Sequence, residues 1–205
     1  MLLRWLPFAL AAVVIALDQL SKAWVVAEVP LASRAGSWGG ILHLTHTRNS
    51  GAAFGLLRDF GLDLGIVTID GVQLLGLVSL VVAVVLAVWL VHAQALGWGT
   101  RLALGAVMGG AVGNGIDRWR LHYVVDFIHA QAGWFDFPVF NVADIGISVG
   151  AAGLLLATLF GPGGHHDAQP TEAIASGAAA PDADDGGGGP SAAVSGAPSR
   201  SDDAR

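Results

Sequence analysis

The sequence predicts an all-α polytopic membrane protein: four transmembrane helices, with a small extramembrane β element between helices 1 and 2. Three observations lead there. Of the 205 residues, 54% are hydrophobic and only 13% are charged, against about 25% charged in soluble domains. The mean hydropathy is +0.62. The apolar residues gather into four long runs, and the charges divide unevenly around them. Residues 1–160 hold eight Lys/Arg and nine Asp/Glu, a net of −1, while residues 161–205 hold two Arg and seven Asp/Glu, a net of −5. The acidity belongs to the tail.

The first run extends from Trp5 to Val26 and is interrupted late by Asp18 and Lys22. Its start also has the look of a secretory signal peptide, but three further spans favour a retained first helix. The second run, Gly71 to Val91, is the cleanest, with Gln73 its most polar member. The third, Leu102 to Ile116, is bounded by Arg101 and Asp117 and is short of the ~20 apolar residues needed to cross ~30 Å of hydrocarbon. Trp98 and Trp119 bracket it as interfacial anchors, so it counts as a span. The fourth, Val139 to Phe160, is broken only by Asn141 and Asp144. Between the first two runs, Ile41 to Arg48 alternates apolar and polar residues as a strand does. Gly39-Gly40 and Asn49-Ser50-Gly51 flank it as turn signals. Two domains follow: a four-span membrane domain over 1–160 and a Gly/Ala/Ser/Pro/Asp-rich tail over 161–205, too poor in apolar surface to fold.

Several chemistries are excluded. Without cysteine there is no disulfide, no thiolate metal site and no cysteine nucleophile. No Lys/Arg cluster invites nucleic acid. A zinc protease needs a pattern such as His-Glu-x-x-His, which is missing, so neither metal nor cofactor is expected. Gly105, Gly109 and Gly113 recur every four residues, a helix-packing pattern. Ser21 and Lys22 are adjacent and point to different helix faces, which argues against a serine–lysine dyad.

The remaining polar residues converge. Four crossings put the connections 28–70 and 117–138 on one side of the membrane, and Asp18, Lys22, Asn114, Asn141 and Asp144 all lie at span ends opening there. Ionisable groups at membrane depth are costly and mark function. Asp18 and Lys22 share a helix face. Asn114 with Asp117, and Asn141 with Asp144, repeat one Asn-x-x-Asp spacing, in which an amide reaches a carboxylate one turn away. Two carboxyls held close cannot both ionise, so one stays protonated while the other activates a water. That arrangement suits peptide hydrolysis.

Five stretches then resemble one family, signal peptidase II: Asp18-Gln19-x-x-Lys22, Asn49-x-Gly51-Ala-Ala-Phe54-Gly55, Gly109-Gly110-Ala-x-Gly113-Asn114-x-x-Asp117-Arg118, Val124-Val125-Asp126-Phe127-Ile128 and Phe140-Asn141-x-Ala143-Asp144. They occur in the family's order. The resemblance implies an aspartic membrane endopeptidase that removes signal peptides from diacylglyceryl-modified prolipoproteins, cutting before the lipidated cysteine. By motif position Asp126 and Asp144 are the catalytic pair. Asn49, Asn114, Asp117, Arg118 and Asn141 are supporting or substrate-binding, and Asp18 and Lys22 are structural. It also implies a monomer in the bacterial inner membrane in contact with lipid, with both termini cytoplasmic and the site at the outer face. The charge bias alone gives no such orientation: Arg4 and Arg101 lie on the inner side, against Lys22, Arg34, Arg48, Arg58, Arg118 and Arg120 outside. Gly115 stands where the family usually has a larger apolar residue.

Two other classes compete. A small proton-coupled transporter would use Asp144 and Asp18 as relays, but no inverted repeat is visible. A presenilin-like enzyme would need Gly-x-Gly-Asp, and Gly113-Asn114-Gly115-Ile116-Asp117 is one residue too long.

Overall fold

A lipid-spanning chain must satisfy its backbone within itself, and the four apolar runs do so as helices. The computed structural model describes residues 2–51, 60–63, 65, 68–92 and 95–160. The expected tail, Arg58 and the motif residues Phe54 and Gly55 lie outside the described residues. After a short turn at Leu2–Trp5 come α1 (Leu6–Glu28), β1 (Arg34–Trp38), β2 (Leu42–Asn49), β3 (Gly61–Asp63), β4 (Thr68–Asp70), α2 (Gly71–His92), α3 (Trp98–Leu121), β5 (Val124–Ala132), β6 (Phe135–Asp136) and α4 (Val142–Phe160).

With 19 to 24 residues, the helices are roughly 28–36 Å long. Three are long and apolar enough to cross a membrane: α1 with its preceding turn, α2 and α4. The fourth, α3, is longer than its apolar run because Trp98–Arg101 and Asp117–Leu121 continue the helix at either end. It packs against each of the other three, so neighbouring helices cover a surface that lipid would otherwise meet. Glycine makes this possible. A Cβ on Gly109 would stand 2.8 Å from the Ala11 carbonyl oxygen of α1, and one on Gly113 would stand 2.7 Å from the Asp18 carboxylate. Gly110 meets the Ala143 carbonyl of α4 in the same way. Gly115, the residue that departs from the family pattern, faces Ser79 of α2, whose Cβ is 3.3 Å from where its own would be. One apolar cluster, Ala11, Ala83, Leu90, Leu104 and Met108, joins α1, α2 and α3, and a second joins the end of α1 (Val25, Val29) to the strands through Leu44, Val125 and Phe127.

The description all-α is too narrow, and the β element is not confined to the connection between α1 and α2. A four-stranded antiparallel sheet runs β1-β2-β5-β6. It takes two strands from that connection and two from the one between α3 and α4. β5 forms because Val124-Val125-Asp126-Phe127-Ile128 finds a partner in β2, with Thr47 opposite Asp126 and Leu44 opposite Ile128. His122 makes the turn into it in the left-handed conformation (φ 58°). A separate hairpin, β3 with β4, leads into α2. There Asp70 and Gln73 cap the helix reciprocally: each backbone N–H donates to the other's side chain, at 2.7 and 3.1 Å.

Candidate active site

Asp144 belongs to the first turn of α4, and the way that helix begins fixes it. Asn141 is the N-cap. Its side-chain oxygen accepts the Asp144 N–H (3.0 Å), while its own N–H donates to the Asp144 carboxylate (3.1 Å). This reciprocal box satisfies two of the donors that every helix leaves open at its start, and the helix dipole favours the negative charge placed there. The next open donor, the N–H of Ala143, is taken by Asp18 of α1 at 2.9 Å.

Asp126 lies in mid-strand on β5 and is 3% exposed. Asn49, at the end of β2, donates to one of its oxygens (3.1 Å) and Asn141 to the other (2.7 Å). Asn141 therefore holds both carboxylates, Asp126 through its amide and Asp144 through its backbone. Asn114 of α3 donates to Asp144 at 2.8 Å and accepts from Asn141 at 3.1 Å. Spacing suggested that each asparagine amide serves the carboxylate one turn away on its own helix. Instead both amides reach across: Asn114 to α4 and Asn141 to β5. Asp117 is left to other partners.

Those partners form a buried charge cluster behind the pair. Lys22 uses all three ammonium protons, on Asp18 (2.8 Å), Asp117 (2.9 Å) and Asn114 (3.0 Å). All four residues are buried. Asp117 also accepts the Val125 N–H (3.1 Å), one residue before Asp126. Each carboxylate of the cluster thus grips the backbone next to one aspartate of the site: Asp18 beside Asp144, and Asp117 beside Asp126. Gln19, quoted in a motif but given no role by its sequence position, ties the cluster together. Its amide lies 3.0 Å from Asp117, 3.2 Å from Asp18 and 3.2 Å from the Gly113 carbonyl. Its signal was available, a polar side chain inside an apolar run. Asp117 has no surface to offer a substrate. Ser21 donates to the Asp18 carbonyl at 2.9 Å, and Lys22 is fully engaged elsewhere.

Arg118, half-buried in the last turn of α3, feels the charges of Asp144, Asp126 and Asp117. It makes no ion pair within 4 Å among the described residues. Burial pushes the Asp126 carboxyl up to about 6, and the neighbouring Asp144 pushes it the same way, while the amides of Asn49 and Asn141 and the charge of Lys22 oppose them. Because this folded-state value lies above the ordinary 3.8, the shift favours folding at low pH. That contribution fades as pH rises toward 6. The site therefore costs stability at neutral pH, as functional carboxyls commonly do. Among the described residues no group of three or more His, Asp or Glu is placed to hold a metal ion. The arrangement suits proton transfer at a polarised carbonyl: two carboxyls, one of them poised to keep its proton, joined by a shared asparagine.

The chain is similar to proteins of one kind. The family model described as Signal peptidase (SPase) II matches residues 10–160. The lipoprotein signal peptidase of Gloeobacter violaceus is 42% identical over 155 residues, 76% of this chain and 80% of that protein. That of Xanthomonas campestris is 40% identical over 160 residues, 77% of this chain and 89% of its own length. A solved chain described as a bacterial membrane enzyme structure, obtained by the in meso method, matches with a TM-score of 0.64 at 25% identity, covering 76% of this chain and 93% of that one.

Proposed function

This chain belongs to the signal peptidase II family, and we propose that Asp126 and Asp144 are the carboxyl pair with which it works. It is a bacterial membrane aspartic protease that removes signal peptides from prolipoproteins. The observation that carries the catalytic assignment is the double grip of Asn141, which binds one carboxylate with its amide and the other with its backbone N–H.

The pair works with one proton between its members. The ionised carboxylate takes a proton from a water whose oxygen bonds to the scissile carbonyl carbon. The protonated carboxyl gives its proton to the carbonyl oxygen. As the tetrahedral adduct collapses, the C–N bond breaks, the leaving nitrogen receives the proton taken from the water, and one hydroxyl of the adduct returns its proton to the other carboxylate as the C=O re-forms. The two protonation steps belong to the pair as a unit. Arg118 lies near enough to sense the charges of both carboxylates, and its N–H groups are there to donate to a carbonyl of the substrate. Asn49 and Asn114 hold the carboxylates in place.

The finer features follow the same reading. The cut falls before a cysteine carrying diacylglycerol, a lipid that brings the scissile bond to a site at the end of the helices. Four helices span the bilayer, α3 enclosed by the other three. The aspartates lie toward the outer face and both termini toward the cytoplasm. Lys22 is buried within the charge cluster and Arg118 belongs to the last turn of α3, so neither counts as a free loop charge. The protein acts as a monomer. The transporter reading finds no support in the relatives.

The test is cleavage of a diacylglyceryl-modified precursor beside the same precursor unmodified, with purified protein in lipid. Cutting of the modified form, at the cysteine, is expected; equal cutting of both would remove lipid recognition from the account. A pH dependence follows as well. Raising the pH through about 6 ionises Asp126 and empties the pair of its shared proton, so kcat/KM falls on the alkaline side from there. Asn49 stabilises the ionised form, so Asn49→Ala is expected to move that limb to higher pH. A limb left in place, or moved lower, would contradict the role given to Asn49.

A further inference from the structure

The end of the bundle opposite the aspartates carries positive charge and no negative. None of residues 1–17, 71–116 and 145–160 is Asp or Glu, while Arg4, His92 and Arg101 stand at helix ends there. α1 and α2 both pack on α3 but little on each other, which leaves a groove between them. At this end of the groove lies a cleft of about 160 Å³ lined by Arg4, Trp5, Phe8, Leu90 and Val91. Leu90 is fully buried, and with Phe8 it belongs to the apolar cluster that joins the three helices, so the inner wall of the cleft is carbon. Its rim is different. The Arg4 guanidinium lies 5.0 Å from the centre of the Trp5 ring, and Trp5 is 50% exposed. Arg4 makes no ion pair within 4 Å among the described residues. The buried Arg101 of α3 donates to the Arg4 carbonyl at 3.3 Å and so fixes the turn that carries Arg4.

We propose that this cleft binds one anionic phospholipid of the leaflet away from the active site, its phosphate on Arg4 and part of an acyl chain against Phe8, Leu90 and Val91. Charge and shape both choose this occupant. A planar guanidinium pairs with phosphate through two parallel N–H donors, and no carboxylate from those three segments competes for it. A basic pocket between spans suits a headgroup of net negative charge. Trp5 and the half-exposed Trp98 at the start of α3 mark the headgroup level, so the cation lies at the interface and the carbon wall lies below it. That is the order of groups along a phospholipid. The cleft is too small for a partner helix, which is about 10 Å across.

The lipid bridges two helices that are otherwise joined mainly through α3. A ligand held only by the native state stabilises it by mass action. The consequence reaches the site through α1, which carries Arg4 just before its start and Asp18 and Lys22 toward its far end. Securing that helix secures the charge cluster behind the two aspartates. The inference rests on the helices being spans, and its test does not depend on cleavage.

The full-length protein in detergent is titrated with phosphatidylglycerol, with phosphatidylcholine of the same chains, and with glycerol phosphate. Native mass spectrometry counts what stays bound, and thermal unfolding is followed alongside. One phosphatidylglycerol is expected to be retained and to raise Tm, and the other two ligands are not. Arg4→Gln should weaken retention about tenfold. Val91→Trp, which fills the cleft and leaves Arg4 in place, should weaken it comparably. Arg120→Gln removes the same charge from the exposed far end of α3 and should change nothing. Equal retention of the two phospholipids would overturn the proposal, and so would glycerol phosphate bound as tightly as the lipid. Parent-like retention in Arg4→Gln or in Val91→Trp would also overturn it. A loss in Arg120→Gln equal to that in Arg4→Gln would reduce the effect to net charge and remove the site. Helical content checks that each variant is folded. Precursor cleavage by the same variants, measured separately, distinguishes a failure of the protease reading from a failure of this one.

Discussion

Asp126→Asn and Asp144→Asn are each expected to abolish precursor cleavage, lowering kcat/KM by about 10⁴-fold or more, the loss that follows when a positioned acid or base is removed. The fold should persist. Asparagine has nearly the shape of aspartate, and its carbonyl oxygen still accepts from Asn141 in either position. What is lost is the ability to carry a proton in one state and a charge in the other. Because the pair acts as a unit, the double variant should be no slower than the worse single one. A diacylated-precursor assay, with helical content in lipid measured alongside, checks this. Residual cleavage within about tenfold of the parent in either variant would remove that residue from the mechanism.

Lys22→Met carries the second largest effect, on stability and activity together. It leaves Asp18 and Asp117, both buried, without their cation. Removing one partner of a buried ion pair costs about 3–5 kcal/mol. The damage then travels along two hydrogen bonds, Asp18 to the Ala143 N–H and Asp117 to the Val125 N–H. Both aspartates of the site lose their backbone anchors, so cleavage should fail even in the fraction that remains folded. Adding Asp18→Asn and Asp117→Asn to Lys22→Met removes the unpaired charges and should recover part of the stability, without activity. Denaturation in mixed micelles measures the first effect. Unchanged stability of Lys22→Met would show that the cluster is not the frame of the site.

The helices were legible in the sequence because a lipid solvent demands continuous apolar surface, and α1, α2 and α4 supply it. The ends of α3 were not, since Arg101 and Asp117 look like boundaries by composition yet are held inside by partners from other elements, the Arg4 carbonyl and Lys22. β5 was unreadable for a related reason. Its partner strand is remote in sequence, with Thr47 and Asp126 79 residues apart, and five residues of mixed character say little until that pairing is made. Motif spacing brought forward the polar residues that meet at one end of the bundle, but it described only neighbours on one helix. The cross-helix reach of Asn114 and Asn141, and the grip of Asp18 and Asp117 on backbone N–H groups, depend on packing set by Gly109, Gly110 and Gly113. No single segment encodes that.

The central claim is a proton shared between Asp126 and Asp144, and the carboxyl infrared band of ¹³C-aspartate-labelled protein in lipid tests it most directly, with Asp126→Asn identifying the Asp126 signal. The account predicts that Asp126 keeps its proton up to about pH 6 in the parent and gives it up at lower pH in Asp144→Asn, once the neighbouring charge is gone. An Asp126 titration identical in the parent and in Asp144→Asn would mean that the two carboxyls do not sense each other, and would contradict the pair.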